Sequence, residues 1–215
     1  MSLDGKIATH TGESKWITNL ESAQYTHCLR REVDAVVIGI NTVLKDNPRL
    51  TVRDQGAIKS PIVIDPVRIV LDSKARIPKK AKLFNPNSNA GELICVTNKA
   101  PKSRIKSLEK ITEVLIVKHN RKGNCDWDDL LNKLGQKNFT SIMIEGGGEV
   151  GASAFEEGII DKVYFFIAPK LIGGGNAPTP LDGRGIKKIT DIVNLKEVEF
   201  TKLQDNILIS GYINK

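Results

Sequence analysis

Short, continuously apolar runs alternate with segments of helical periodicity along almost the whole chain, and no other feature constrains the fold as tightly. The runs fall at residues 35–38, 68–71, 93–96, 114–117, 141–144 and 163–167. Several lack the apolar–polar alternation of a strand with one wet face, as expected of strands covered on both sides. Strand and helix in that order predict an α/β fold with a mostly parallel central sheet flanked by helices. Two further runs, 198–200 and 207–212, follow each other across Asp205-Asn206 and predict a C-terminal antiparallel hairpin. No repeat or low-complexity linker interrupts the pattern, so residues 1–215 read as one domain.

Local signals place some of the helices. Thr18-Asn19-Leu20-Glu21 has the form of a capping box, with Thr18 as the cap of a helix running to about Arg31. Another helix starts near Asp126 and continues through Leu130, Leu131 and Leu134, with Gly135 as its stop. Asn41 or Thr42 can cap a short helix that Pro48 ends at or before Asn47. Residues 86–91 read as a surface loop, and 173–185, rich in Gly and Pro, as a longer loop with a function.

Several function classes drop out. No apolar run approaches the length of a membrane span, and no basic-then-apolar leader opens the chain, so a cytoplasmic location is expected. Cys28, Cys95 and Cys125 are far apart and lack metal-ligand spacing; they read as small buried side chains, with no metal site. The net charge of +7 is scattered, and Lys79, Lys80 and Lys82 form only a short cluster. That suits a solvated face, or attraction of small phosphorylated ligands, better than a nucleic-acid surface. No G-x-S-x-G elbow, H-E-x-x-H or Walker motif is present, and His27 reads as structural.

Three segments carry chemistry. In the first, the apolar run 142–144 enters Glu145-Gly146-Gly147-Gly148-Glu149-Val150-Gly151, and a helix follows through Ala154 and Phe155. Gly146, Gly148 and Gly151 satisfy G-x-G-x-x-G, where bare backbone and a helix start can receive a diphosphate. The same glycines also suit close strand–helix packing, and the acidic ribose ligand of an ordinary dinucleotide fold is missing after the next strand. The second segment, Gly12 to Thr18, sets Ser14 and Trp16 in a loop, either over a ligand or with the tryptophan in a core. The third runs from Gly39 to Arg53. Its Arg49 and Arg53, together with Arg30, are candidates for phosphate, because guanidinium forks match oxyanions.

Taken in order, six blocks closely resemble the reductase domain of the bifunctional riboflavin-biosynthesis deaminase-reductase. They are S-L-D-G-K-I-A from Ser2, T-G-E-S-K-W-I-T from Thr11, G-x-x-T-V-L-x-D-N-P-R-L-T-V-R from Gly39, V-L-D-S from Val70, I-E-G-G-G from Ile144 and I-A-P-K-L-I-G-G from Ile167. The resemblance implies a dihydrofolate-reductase-like fold, NADPH as cofactor, and reduction of 5-amino-6-(5-phospho-D-ribosylamino)uracil to its ribitylamino product. By motif position it implies cofactor contacts at Trp16, Thr42, Asp46, Ser73, Gly147, Gly148, Glu149, Val150, Gly151, Ala152 and Ser153. It implies substrate contacts at Ser14, Arg30, Leu50, Arg53 and Glu145. Within this scheme Arg30 and Arg53 hold the 5-phosphate or nearby sugar oxygens, and Glu145 binds sugar or pyrimidine donors. Asp46 orients a water or the nicotinamide side; Asp46 and Glu145 are the catalytic candidates, with the proton donor left open between them. Lys74 and Arg76 read equally as contacts to a 2′-phosphate and as solvated charges.

The family's zinc deaminase motifs, H-x-E and P-C-x-x-C, are absent here, so a deaminase domain or protein of the same pathway is an expected partner. The other expected partners are a phosphorylated small-molecule substrate and a second copy in a homodimer. The alternatives are another reductase of this fold acting on a small heterocycle, and a non-catalytic nucleotide-binding module.

Overall fold

The computed structural model describes residues 1–52, 65–84 and 90–214. Arg53 and most of the expected loop 86–91 lie outside the described residues. Contacts divide the chain into two compact units, one of Met1–Thr26 with Gly148–Lys215, the other His27–Gly147. Helix α1 (Leu20–Arg31) begins in the first and ends in the second.

The second unit is built on five parallel strands: β1 (Ala35–Gly39), β2 (Val67–Leu71), β3 (Glu92–Thr97), β4 (Glu113–Val117) and β5 (Ile142–Ile144). Their order across the sheet is β4-β3-β2-β1-β5. The chain steps outward from β1 to β4 and then returns to add β5 on the far side of β1. Every residue of β1 is buried, which is why its run is apolar without alternation. Val36, Ile38, Val70, Ile94 and Val96 share one core with Ile40 and Val43 of helix α2 (Ile40–Asp46) and with Leu50, Ile77 and Leu83.

Helix α3 (Lys102–Leu108) links β3 to β4, and α4 (Trp127–Gln136) links β4 to β5. Asp126 caps α4 by accepting from the Asp129 amide at 3.0 Å, and Leu130 and Leu134 bury its apolar stripe. Gly135 does not stop this helix. It lies within the last turn, and the chain reverses at Asn138, in the left-handed region at φ 65°. Helix α2 grows straight out of β1 with Gly39 at its cap position, so neither Asn41 nor Thr42 caps it. It ends as expected before Pro48, at Asn47 with φ 44°.

The first unit holds a separate antiparallel sheet of β6 (Lys162–Ile167), β8 (Asn206–Ile213) and β7 (Leu195–Leu203), in the order β6-β8-β7. The run at 163–167 is therefore not a sixth member of the parallel series. Its partner, β8, comes from the hairpin, and no local periodicity reveals such a long-range pairing. The hairpin turns at Gln204 and Asp205, one residue earlier than read, because Asn206 already pairs with Leu203. Asn206 is buried and bonds the buried Ser22 through its side chain at 2.9 Å. At the start of α1, Asn19 rather than Thr18 supplies the cap, accepting from the Ser22 amide at 3.0 Å. Its amide nitrogen donates to the Leu203 carbonyl and the Asp205 carboxylate, which selects it over the threonine. Helix α5 (Gly148–Glu156) completes this unit. No helix among the described residues is long and apolar enough to cross a membrane.

Candidate functional site

In an open parallel sheet, ligands bind outside the carboxyl ends of the strands where the strand order reverses. Here that point lies between β1 and β5. The residues leaving those two strands are Ile40 with α2, and Glu145, Gly146 and Gly147. Glu145 extends β5 by one bond, donating its amide to the Val37 carbonyl of β1 at 3.0 Å. Gly146 and Gly147 then follow with φ 64° and 77°, a left-handed pair that side-chain-bearing residues adopt at a cost. A β-carbon at Gly146 would meet nothing within 4 Å, and one at Gly147 would lie 3.3 Å from Thr42 Oγ1. The sequence-derived residues Thr42, Glu145 and Gly147 thus share one corner of this unit.

Arg30 joins them. Its Nε donates to Glu145 Oε1 at 2.6 Å and its Nη2 to Oε2 at 2.7 Å, while Nη1 donates to the Thr51 carbonyl at 3.0 Å. The pair is largely withdrawn from water, with side-chain exposures of 13% and 19%. Leu50, just before Thr51, is buried and holds φ 54°. Asp46 ends α2 with its side chain exposed, and Arg49 is exposed nearby. Arg53 lies outside the described residues.

Ser73 follows the carboxyl end of β2. Its hydroxyl oxygen accepts from the Cys125 amide at 3.1 Å and lies 3.6 Å from Cys125 Sγ. Burial pushes the Cys125 thiol up to about 11 and raises Cys95 as well. Both behave as the small buried side chains the sequence suggested, and all three cysteines are free. Lys74 and Arg76 are exposed, and Arg76 Nη2 donates to Asn41 Oδ1 of α2 at 3.1 Å.

In the first unit, Ser14 and Trp16 line a cavity of about 280 Å³ together with Ile7, Thr18, Asn19 and Ala23. Trp16 is 80% exposed, so it is not a core tryptophan; that role falls to Trp127 of the other unit. The loop carrying Trp16 is tied down by Lys170, whose Nζ donates to the Trp16 carbonyl at 2.8 Å.

Helix α5 shows a second reason for its glycines. A β-carbon at Gly148 would overlap Asp182 Oδ2 and the Thr179 carbonyl, and one at Gly151 would lie 2.8 Å from the Pro180 carbonyl. The Asp182 amide donates to the Gly148 carbonyl at 3.2 Å, and Asp182 Oδ1 accepts from the Thr179 amide and hydroxyl. Close packing accounts for Gly148 and Gly151; open backbone remains at Gly146. Glu149 is exposed, Val150, Gly151 and Ser153 are half-buried, and Ala152 is buried.

The sequence reading passed over the residues that brace these loops. Asp4 accepts from the Ile172 and Gly173 amides at 3.1 and 2.7 Å, and Lys6 Nζ donates to the Ala177 carbonyl at 3.3 Å. The Ser2 hydroxyl, followed by those two amides, holds the Asp4 carboxyl down at about 2. Asp4, Lys6 and Lys170 all sit inside motif blocks, and only the fold shows what they hold. Among the described residues, no group of three or more His, Cys, Asp or Glu side chains could hold a metal ion.

The RibD C-terminal domain family matches residues 1–209. The chain belongs to that family. Within it, the chain is 38% identical over 208 residues to the riboflavin biosynthesis protein RibD of Aquifex aeolicus, covering 97% of this chain and 54% of that protein. It is 38% identical over 209 residues to the 2,5-diamino-6-ribosylamino-4(3H)-pyrimidinone 5′-phosphate reductase of Methanothermobacter thermautotrophicus, covering 97% of this chain and 93% of that protein. Among solved structures, the diaminohydroxyphosphoribosylaminopyrimidine deaminase/5-amino-6-(5-phosphoribosylamino)uracil reductase of Thermotoga maritima matches with a TM-score of 0.75 and 27% identity. That match covers 99% of this chain and 54% of the Thermotoga chain. The chain thus spans about half the length of the RibD relatives and nearly all of the archaeal reductase.

Proposed function

We propose that residues 1–215 form a reductase domain converting 5-amino-6-(5-phospho-D-ribosylamino)uracil into 5-amino-6-(5-phospho-D-ribitylamino)uracil, with NADPH as reductant. The observation that carries the reading is the family match over nearly the full chain, combined with a Glu–Gly–Gly corner at the sheet's switch point. The backbone there fits a dinucleotide: Gly146 is left-handed, exposed and free of neighbours where a β-carbon would stand. The residues assigned to the cofactor by motif position are Trp16, Thr42, Asp46, Ser73 and residues 147–153. When bound, the nicotinamide supplies a hydride.

The chain's own residues supply position and electrostatics. A ribosylamine opens to an imine whose C1′ is electrophilic, and reduction at that carbon leaves the open ribityl chain. Ser14, Arg30, Leu50, Arg53 and Glu145 are the residues assigned to the substrate. Glu145 offers carboxylate oxygens to sugar hydroxyl or pyrimidine N–H donors. Asp46, exposed at the end of α2, is free to orient a water. Reduction demands that the two reacting carbons be held within about 3–3.5 Å, which is what such anchoring achieves.

A second substrate reading has its own support. The archaeal relative, 93% of whose length this chain covers, is named for the 2,5-diamino-pyrimidinone, which still carries an amino group where the uracil carries an oxygen. Parallel assays with both phosphoribosylamino compounds decide which ring is preferred. A deaminase, as a preceding domain or a separate protein, fits the uracil reading as a partner. A homodimer is supported by the three-stranded sheet, where Val198, Phe200 and Ile207 are exposed at 41%, 72% and 47%.

A further inference from the structure

We propose that Lys170 is a positioning residue for the cofactor: its ammonium holds the Trp16 loop so that the indole meets the reductant in a fixed orientation. The proposal rests on the reductase reading above, in which Trp16 touches the cofactor, and adds a residue to it.

Trp16 is 80% exposed, and among the described residues no ring contact holds its indole. A tryptophan left in water forgoes the burial that ordinarily keeps one in place, and offers a flat apolar face to a planar ligand. It lines the cavity of about 280 Å³ together with Ser14 and Thr18. Such a face serves binding best when it is already oriented, because ordering it as the ligand arrives costs affinity. Something other than burial must therefore orient it.

Lys170 Nζ donates to the Trp16 carbonyl at 2.8 Å. Among the described residues, no other hydrogen bond ties residues 14–18 to a distant segment. The base from which Lys170 reaches out is itself fixed. Ser2 and Ala168 are buried and pair as a parallel bridge, and the Leu3 amide donates to the Lys170 carbonyl at 2.8 Å. Just beyond, the Asp4 carboxylate accepts from the Ile172 and Gly173 amides. Restraints thus stand on both sides of residue 170 within two positions. A lysine on such a base, bonded to a carbonyl 154 residues away, crosslinks two loops of one unit. Lys170 is not among the residues lining the cavity, so it acts through Trp16 and not on the ligand.

The test isolates the Trp16 signal by replacing the other tryptophan, the buried Trp127, with phenylalanine. In that background the unaltered Lys170, Lys170→Met and Lys170→Arg are compared by time-resolved anisotropy of the indole, by quenching of its emission with NADPH, and by steady-state kinetics with the phosphoribosylamino-uracil. Lys170→Met should loosen the indole, seen as a larger fast component of the anisotropy decay. It should raise the KM and Kd for NADPH about 3- to 10-fold, the scale of one lost hydrogen bond. KM for the pyrimidine at saturating NADPH stays within about twofold of wild type. Lys170→Arg recovers most of the loss, since a guanidinium also donates to a carbonyl. Adding Lys170→Met to Trp16→Ala costs NADPH binding nothing further, because the residue it works through is gone. Should Trp127→Phe not fold, acrylamide, which reaches the exposed indole and not the buried one, separates the two emissions; Lys170→Gln stands in for a Lys170→Met that does not fold. Unchanged anisotropy, an unchanged KM for NADPH, or losses that multiply in the double variant overturn the proposal. A wild-type chain that neither binds nor oxidises NADPH removes the reductase reading and this proposal with it; an active one whose Trp16 signal and NADPH KM ignore Lys170→Met removes the proposal alone.

Discussion

Gly148 of α5 packs directly against the carboxylate of Asp182, leaving no room for a β-carbon between them. Gly146, two residues earlier, faces open space. Neighbouring glycines of one motif thus answer to different physics: one to packing, the other to a left-handed backbone left bare.

That difference is measurable. Gly148→Ala forces apart the loop at 179–182 and should lose about 1–3 kcal/mol of stability, the usual scale of overpacking. Gly146→Ala meets no neighbour and should lose only the left-handed penalty, about 1–2 kcal/mol. Its cofactor affinity should fall while it stays folded. Denaturant titrations with NADPH binding on both variants check the split; a freely tolerated Gly148→Ala contradicts it.

Acid stability offers a second check. The Asp4 carboxyl is held at about 2, below its ordinary 3.8, so the folded state favours its ionised form. Its contribution is therefore present above pH 3.8 and is lost as pH falls through about 2. Asp4→Asn should be less stable than wild type near neutrality, with the gap closing between those two values. Thermal melts across that range measure it; a gap that widens in acid contradicts the assignment.

The buried thiols give a third. Cys125, pushed up to about 11 by burial, and Cys95, raised likewise, hold little thiolate at neutral pH. Iodoacetamide on the native protein should leave both unmodified, and denaturation should make all three cysteines react. Mass spectrometry of the alkylated peptides reads the outcome; native labelling of Cys125 at the denatured rate contradicts the burial.

These tests bear on how much the amino acids disclose unaided. β1, β2 and β3 could be placed because each is a run buried in the sheet, and burial writes itself into apolar composition; β4 and β5, at the sheet's edges, are less buried but still read as short apolar runs. The helix start near Asp126 and the stop before Pro48 were legible from local signals alone. The assignment of β6 was not, since its antiparallel partner lies some forty residues on and apolar runs carry no direction. Asn19 displaced Thr18 as a cap because it also reaches Leu203 and Asp205, contacts that exist only once the chain has folded. At the candidate site, motif position marked Arg30 and Glu145 separately; their pairing exists only once the end of α1 and the end of β5 meet in the fold.

For the homodimer, Phe200→Glu places a charge on the exposed apolar sheet. Light scattering should give wild type twice the 23.6 kDa chain mass and the variant a value nearer one copy. Wild type running as a single copy contradicts the assembly.

The most direct test of the reductase assignment follows nicotinamide absorbance while NADPH and the synthetic phosphoribosylamino-uracil are mixed with the protein. The account predicts protein-dependent oxidation of NADPH, matched mole for mole by the ribitylamino product. Absorbance that stays flat with both this substrate and the diamino-pyrimidinone, from a folded protein, contradicts it.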